Sequence, residues 1–297
     1  MFKSFDELSS KVTASQRTLV VAAAHEEHTL EAVFTAAVNM KMHYILVGKR
    51  KEIEIISSGL GEHPDSETII DANDDVECAD IAVSLIKNGS GDALMKGLLD
   101  TGTLLKAVLE KDTGIRDSNT LSHLAILETS GYHKLIGITD GGMIPNPTLM
   151  QKAEIVINAA GYFRDIGYDK PKIAALCASE SISPKIPETV EAAHLQEMCK
   201  EGRLGKCLLE GPLSFDIAVS RESADIKGFS SEISGETDIL LVPNFTVGNV
   251  LAKGLIYCAG AKMAGIILGA KAPVVLTSRG ASSEEKMYSI MLSVLGG

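Results

Sequence analysis

Pro273-Val274-Val275-Leu276-Thr277-Ser278-Arg279-Gly280-Ala281-Ser282-Ser283-Glu284-Glu285-Lys286 reads as a buried strand that runs into a polar turn and then opens a helix. In open parallel sheets, ligands bind beyond the carboxyl ends of the strands. A helix start at such a place offers free N–H groups and positive dipole to an anion, and Arg279 adds a fork of donors suited to phosphate. The same residues also have a plainer reading, with Ser282 as N-cap and Glu285 at N3 completing a capping box. The two readings are compatible for neighbouring residues of one turn. The segment Glu284–Leu295 then sets Met287, Ile290, Met291 and Val294 on one face, so the chain closes with an amphipathic helix.

Working outward, Val-, Ile- and Leu-rich runs alternate with segments of helical periodicity, the pattern of βαβ units and a mainly parallel sheet. Thr18–Ala24 predicts a strand and Thr29–Met40 the helix after it. Further strands are expected at Tyr44–Val47, His123–Leu127, Leu135–Thr139, Ile173–Cys177, Ala218–Val219, Ile239–Val242 and Val274–Thr277. With 297 residues the chain has room for one large or two ordinary α/β domains. Gly141–Gly142 with Pro145–Pro147 marks one expected crossing between them, and Gly269–Pro273 the other.

Composition narrows the function. The balance of 45% apolar and 23% charged residues is that of a globular protein. A net charge of −11 without a basic tract argues against nucleic acid as partner, so an anionic substrate must meet a local basic pocket. No apolar run approaches the ~18 residues of a membrane span, and Lys3, Asp6 and Glu7 interrupt any signal-peptide core. Five scattered cysteines, Cys78, Cys177, Cys199, Cys207 and Cys258, form no CxxC pair, which suits a reducing cytoplasm and no structural zinc.

Other clusters supply candidate ligands. Leu241-Val-Pro243-Asn244-Phe-Thr-Val-Gly248-Asn249-Val-Leu-Ala-Lys253 follows a strand and puts Asn249 and Lys253 on one face if helical; the bland alternative is a cap and a solvated lysine. Leu94-Met-Lys96-Gly97 and Leu121-Ser122-His123 carry polar groups where strand meets turn, which makes Lys96, Ser122 and His123 candidate cleft residues. Gly211-Pro-Leu-Ser-Phe-Asp216 reads first as structure, with Asp216 capping or pairing. His25-Glu-Glu-His28 lacks the HExxH interval and a third ligand, so it reads as a helix start, and no essential metal is expected. Neither Gly59-Leu-Gly61 nor Gly89-Ser-Gly91 continues into GxGxxG, and neither a P-loop nor a GxSxG elbow is present.

Taken in order, Lys96-Gly97, Gly211-Pro212-Leu213, Pro243 with Gly248-Asn249 and Lys253, and Leu276-Thr277-Ser278-Arg279 resemble the phosphate acetyl/butyryltransferase family over nearly the whole chain. Leu-Thr before Ser-Arg is most like its phosphate butyryltransferase branch. The resemblance implies two α/β domains with mainly parallel sheets in the isocitrate/isopropylmalate dehydrogenase-like architecture, with the active site in the interdomain cleft. The expected domains are residues 1–140 with 271–297, discontinuous, and residues 141–270. Homodimers or larger homo-oligomers are also implied.

In the acetyl branch the Ser of the Ser-Arg motif is catalytic, the Arg binds substrate, and an Asp seven positions after the Ser is the proposed base. Here these positions are Ser278, Arg279 and Glu285; many butyryl members instead carry an Asp where this chain has Ala281, which leaves the base open. The implied reaction is reversible transfer of a short acyl group between coenzyme A, a substrate, and inorganic phosphate, with no permanently bound cofactor. Ser278 and Glu285 are the expected catalytic pair, with Arg279, Lys253, Asn249, Lys96, Ser122 and His123 binding phosphate or CoA. The alternatives are phosphate acetyltransferase, a metal- and NAD-dependent dehydrogenase of the same architecture, and a non-catalytic CoA-binding scaffold.

Overall fold

The computed structural model of the chain describes residues 2–12, 16–277 and 281–296, so Ser278 and Arg279 lie outside the described residues. In chain order the strands are β1 (Thr18–Ala22), β2 (His43–Gly48), β3 (Ile69–Asp71), β4 (Ala93–Lys96), β5 (Ser122–Glu128), β6 (Ile136–Thr139), β7 (Lys172–Leu176), β8 (Leu208–Leu213), β9 (Ile239–Leu241), β10 (Lys262–Leu268) and β11 (Val274–Val275). Helices intervene at Glu27–Met40, Asp75–Lys87, Leu149–Asp165, Pro187–Lys200 and Phe245–Ala259, and Ser283–Leu295 ends the chain. The chain divides into two compact units: a terminal unit, Asp6–Asn119 with Ala264–Gly297, and a central unit, Thr120–Met263 with Met1–Phe5.

In the terminal unit the strands run β3-β2-β1-β4-β11-β10. All neighbours are parallel except β10 and β11, which the turn at Gly269–Pro273 joins as an antiparallel pair. Leu19, Val20, Val21 and Ala22 of β1 are fully buried, as an all-apolar strand with helices on both faces must be. The helix Glu27–Met40 packs on the closing helix, and Leu30, Val33 and Phe34 of the first and Ile290, Met291 and Val294 of the second are buried. Register aligns Ala22 with Lys96 and Val275 with Met95, so the carboxyl ends of β1, β4 and β11 finish together.

In the central unit the order is β5-β6-β9-β7-β8, with β5 antiparallel to β6 and the rest parallel. Leu127, Ile138, Ala174, Leu213, Ile217, Leu240 and Val242 form its core. Lys134 is buried at the start of β6, where Nζ donates to Asp238 Oδ1 at 2.5 Å and to the Glu236 carbonyl at 2.8 Å. Asp238 Oδ2 also accepts Lys172 N–H at 2.8 Å, so one carboxylate fastens the starts of β6, β9 and β7.

The strand expected at Ala218–Val219 is instead part of a short helix, Phe215–Val219. The Ala218 N–H donates to the Ser214 carbonyl at 3.0 Å, and its own carbonyl accepts Gly235 N–H and the Thr237 hydroxyl, which leaves no ladder for a strand. The last strand covers Val274–Val275 rather than Val274–Thr277, so Leu276 and Thr277 are already part of the turn.

Candidate functional site

The strand ends of the terminal unit enclose a cleft of about 420 Å³ lined by Glu26, Thr29, Lys96, Gly97, Leu98, Thr277 and Lys286. Each residue arrives there for a local reason. Lys96 ends β4 and is buried, with Nζ donating to the carbonyls of Gly97 and Leu99, both at 3.1 Å. Gly97 crosses the end of β1, its N–H on the Ala22 carbonyl at 2.8 Å; an added Cβ would stand 2.2 Å from the Ala23 oxygen, so only glycine fits. Glu26 caps the helix Glu27–Met40, accepting His28 N–H at 3.1 Å and Thr29 N–H at 2.8 Å. Lys286 sits in the first turn of the closing helix, with Nζ 3.3 Å from Glu26 Oε2. Burial alone would raise the Glu26 carboxyl, but the Thr29 hydrogen bonds and the Lys286 charge outweigh it and hold it below the ordinary glutamate value.

Two ammoniums that are each over nine-tenths buried, with one carboxylate between them, make a basic pocket in an acidic chain. Thr277, on its wall, directly precedes Ser278-Arg279. At the closing helix Ser282 is the N-cap the sequence suggested, its hydroxyl accepting Glu285 N–H at 3.1 Å, but the return bond from the Glu285 carboxylate that would complete a capping box is not among the bonds of the described residues. Burial raises the Glu285 carboxyl above its ordinary value and the neighbouring Lys286 offsets part of that rise. A carboxyl shifted upward is a better proton acceptor at neutral pH than an ordinary glutamate.

The remaining candidates belong to the central unit. Because β5 is antiparallel to β6, the start of β5 meets the end of β6, and His123 N–H donates to Asp140 Oδ1 at 3.3 Å. The Asp140 carboxylate also accepts the N–H groups of Gly142, Met143 and Ile144 at 2.8, 2.9 and 3.0 Å. Burial lowers the His123 imidazole, against the opposing charge of Asp140, so the ring is neutral, and its buried Nδ1 has no partner within the described residues. Ser122 is fully buried, its hydroxyl accepting Asn158 Nδ2 at 3.1 Å.

Asn249 and Lys253 lie on the helix Phe245–Ala259, which Asn244 caps by accepting Val247 N–H at 3.1 Å. Asn249 is half-buried and Lys253 exposed. Gly248 on this helix lies against Gly141 so closely that its Cβ would come within 2.7 Å of the Gly141 Cα, which brings the helix start onto the exit of β6. The structure thus gathers Lys96, Thr277 and Lys286 in one unit, and His123, Asp140 and the start of the Asn249 helix in the other.

Sequence reasoning read Glu26 and Thr29 only as part of a helix start and quoted Lys286 without giving it a role. The signal available was the polar run His25–Thr29 directly after β1, the position where an open parallel sheet binds ligands. Asp216 pairs with Lys227 at 2.8 Å, and that bond holds its carboxyl down at about 2, which is the structural role expected for it. Among the described residues no group of three or more His, Cys, Asp or Glu side chains is placed to hold a metal, and no helix is long and apolar enough to cross a membrane.

Residues 68–294 match the model of the family described as phosphate acetyl/butaryl transferase. The phosphate butyryltransferase of Clostridium acetobutylicum is 41% identical over 99% of this chain and 98% of its own. The phosphate acetyltransferase of Thermotoga maritima is 37% identical over 98% of each. A branched-chain phosphotransacylase from Enterococcus faecalis superposes with a TM-score of 0.83 at 33% identity, over 94% of this chain and 98% of that one. A putative 4-hydroxythreonine-4-phosphate dehydrogenase from Salmonella typhimurium, 13% identical with a TM-score of 0.57 over 95% of this chain and all of its own, shares the dehydrogenase-like α/β architecture and supports nothing beyond the fold. With its match across both units and such identity to full-length relatives, the chain belongs to the phosphate acetyl/butaryl transferase family of acyltransferases.

Proposed function

We propose that this chain is a phosphate butyryltransferase, catalysing butanoyl-CoA + phosphate = butanoyl phosphate + CoA in both directions. The observation that carries this reading is the pair of buried ammoniums at the strand ends beside Thr277, in a chain 41% identical to a phosphate butyryltransferase. A phosphate oxygen attacks the thioester carbonyl, the tetrahedral intermediate collapses, and the CoA thiolate leaves and takes up a proton. In reverse, the thiol, of pKa ~8.5–10 when free, must be deprotonated near neutral pH. Glu285 is the proposed base, its raised carboxyl supporting that role. The Ser278 hydroxyl and neighbouring N–H groups would meet the oxyanion, each such donor being worth ~3 kcal/mol.

Arg279 and Lys96 are proposed to hold the phosphate, with Lys253 and Asn249 contributing further donors to substrate oxygens. His123, uncharged through burial, would act as a neutral hydrogen-bonding group, and Ser122 would fix the strand that carries it. Transfer is direct within a ternary complex. A covalent cysteine route is not favoured: no cysteine lines the cleft of Lys96 and Thr277 among the described residues, burial pushes Cys177 up to about 12, and Cys199, drawn down to about 6 by the Cys207 thiol beside it, lines a different pocket. The reading includes a cytoplasmic homo-oligomer that takes CoA as substrate and keeps no resident cofactor.

Acetyl transfer is the second reading, and the 37% identity to a phosphate acetyltransferase favours it. Thiol release followed with DTNB, using phosphate and acetyl-, propionyl-, butyryl- and isobutyryl-CoA, separates the two. Activity should peak at four carbons; a peak at acetyl-CoA moves the assignment to the sister reaction. Absence of phosphate-dependent release with every thioester overturns both.

A further inference from the structure

Among the described residues, Lys286 is a cation with fewer acceptors than its ammonium has donors. Its side chain is 7% exposed, and an ammonium so far from water persists where its charge and its three donors are met. Among the described residues it meets one acceptor, Glu26 Oε2, at 3.3 Å, longer than the ~2.8 Å of a well-formed charge-assisted bond. Glu26, by contrast, is fully engaged. Its Oε1 accepts His28 N–H at 3.1 Å, and its Oε2 accepts Thr29 N–H at 2.8 Å and the Thr29 hydroxyl at 2.5 Å. The carboxylate is therefore a fixed post at the start of a helix, and the ammonium rests against it with donors left over, on the wall of the cleft that Lys96 and Thr277 share. Two ammoniums against one carboxylate leave that lining with surplus positive charge, which is what an anion with several oxygens requires.

We infer that Lys286 is a direct ligand of the phosphate oxygens in this cleft and that Glu26 is the positioning residue that holds its ammonium there. The inference deepens the acyl-transfer reading and rests on it for what the bound phosphate does next. Binding itself can be read without turnover, as the rise in melting temperature that inorganic phosphate alone produces.

Lys286→Met should reduce that rise sharply and increase KM for phosphate roughly tenfold or more, the usual effect of deleting a charge-assisted bond, while KM for butyryl-CoA stays within about twofold. Lys286→Arg, which keeps the charge, should restore most of the phosphate response. Glu26→Gln keeps an oxygen for the helix cap but removes the charge facing Lys286. It should also raise KM for phosphate selectively, and the double variant should be no worse than Lys286→Met, because positioning acts only through the lysine. Should Lys286→Met not fold, Lys286→Gln reads the same pair of constants.

Unchanged phosphate stabilisation and unchanged KM in the Lys286 variants would overturn the inference, as would a wild-type chain that phosphate does not stabilise. Additive effects of the two substitutions would remove Glu26 from its role. A wild type that phosphate stabilises through Lys286, yet that releases no thiol, would leave this site standing and overturn the acyl-transfer reading instead.

Discussion

At the ends of β1 and β4, Gly97 is pressed against the Ala23 carbonyl; at the end of β6, Gly141 is pressed against Gly248 of the following helix. Both units thus let backbones approach closely where parallel strands finish, then spend the polar residues around that contact differently. In the terminal unit the charges face a cleft, with Lys96, Lys286 and Glu26 on its lining. In the central unit the one carboxylate at the strand end, Asp140, is consumed by four backbone N–H groups, and the ring beside it is neutral. Similar strand ends therefore give one unit a cationic pocket and the other a carboxylate occupied by backbone donors beside a neutral ring.

Four substitutions break or sharpen this contrast. The largest effect is expected from Asp140→Ala, which strips an acceptor from four part-buried amides; a loss of roughly 3 kcal/mol should appear as a lower midpoint in urea at unchanged slope. Gly97→Ala comes next. Its methyl group would overlap the Ala23 oxygen, so about 2–3 kcal/mol of stability should be lost together with phosphate-dependent activity. An active, fully stable Gly97→Ala chain would show that the close approach in the terminal unit does not shape the cleft.

Glu285→Gln is a smaller and signed effect. Burial raises this carboxyl in the folded chain, so folding disfavours its charged form: its contribution is fully present below the unfolded pKa and is lost as pH rises through the folded one. The amide carries no such penalty. The variant should therefore melt slightly above the wild type at neutral pH, with the difference closing in acid, while its turnover of butanoyl phosphate with CoA falls. Full turnover would hand proton transfer to another group. The smallest stability change belongs to Lys253→Ala on the exposed helix face, within ~0.5 kcal/mol, so any rise in KM there reads substrate contact alone.

The fold was legible wherever burial and sequence pattern agree. Thr18–Ala22 and His43–Gly48 are apolar runs flanked by helical periodicity, and both are strands close to where that pattern puts them. β8 was hidden because Gly211-Pro212 reads as a turn; the strand tolerates that proline because it lies at the edge of its sheet, where a missing N–H costs no ladder bond. β10 was obscured by Gly265 in its middle and Lys262 at its start, and β3 by its three-residue length. Lys96 could be singled out because strand end and turn are adjacent in sequence. The Glu26–Lys286 contact spans 260 residues, and nothing in either local sequence announces it until β1 and the closing helix are brought together.

The most direct test of the central claim follows phosphorus by NMR while purified chain is mixed with butyryl-CoA and inorganic phosphate, without metal or nicotinamide. The account predicts a new acyl-phosphate resonance that grows in equal amount with free CoA thiol and disappears when excess CoA is added back. Thiol release with no acyl-phosphate resonance, which is simple thioester hydrolysis, would contradict it.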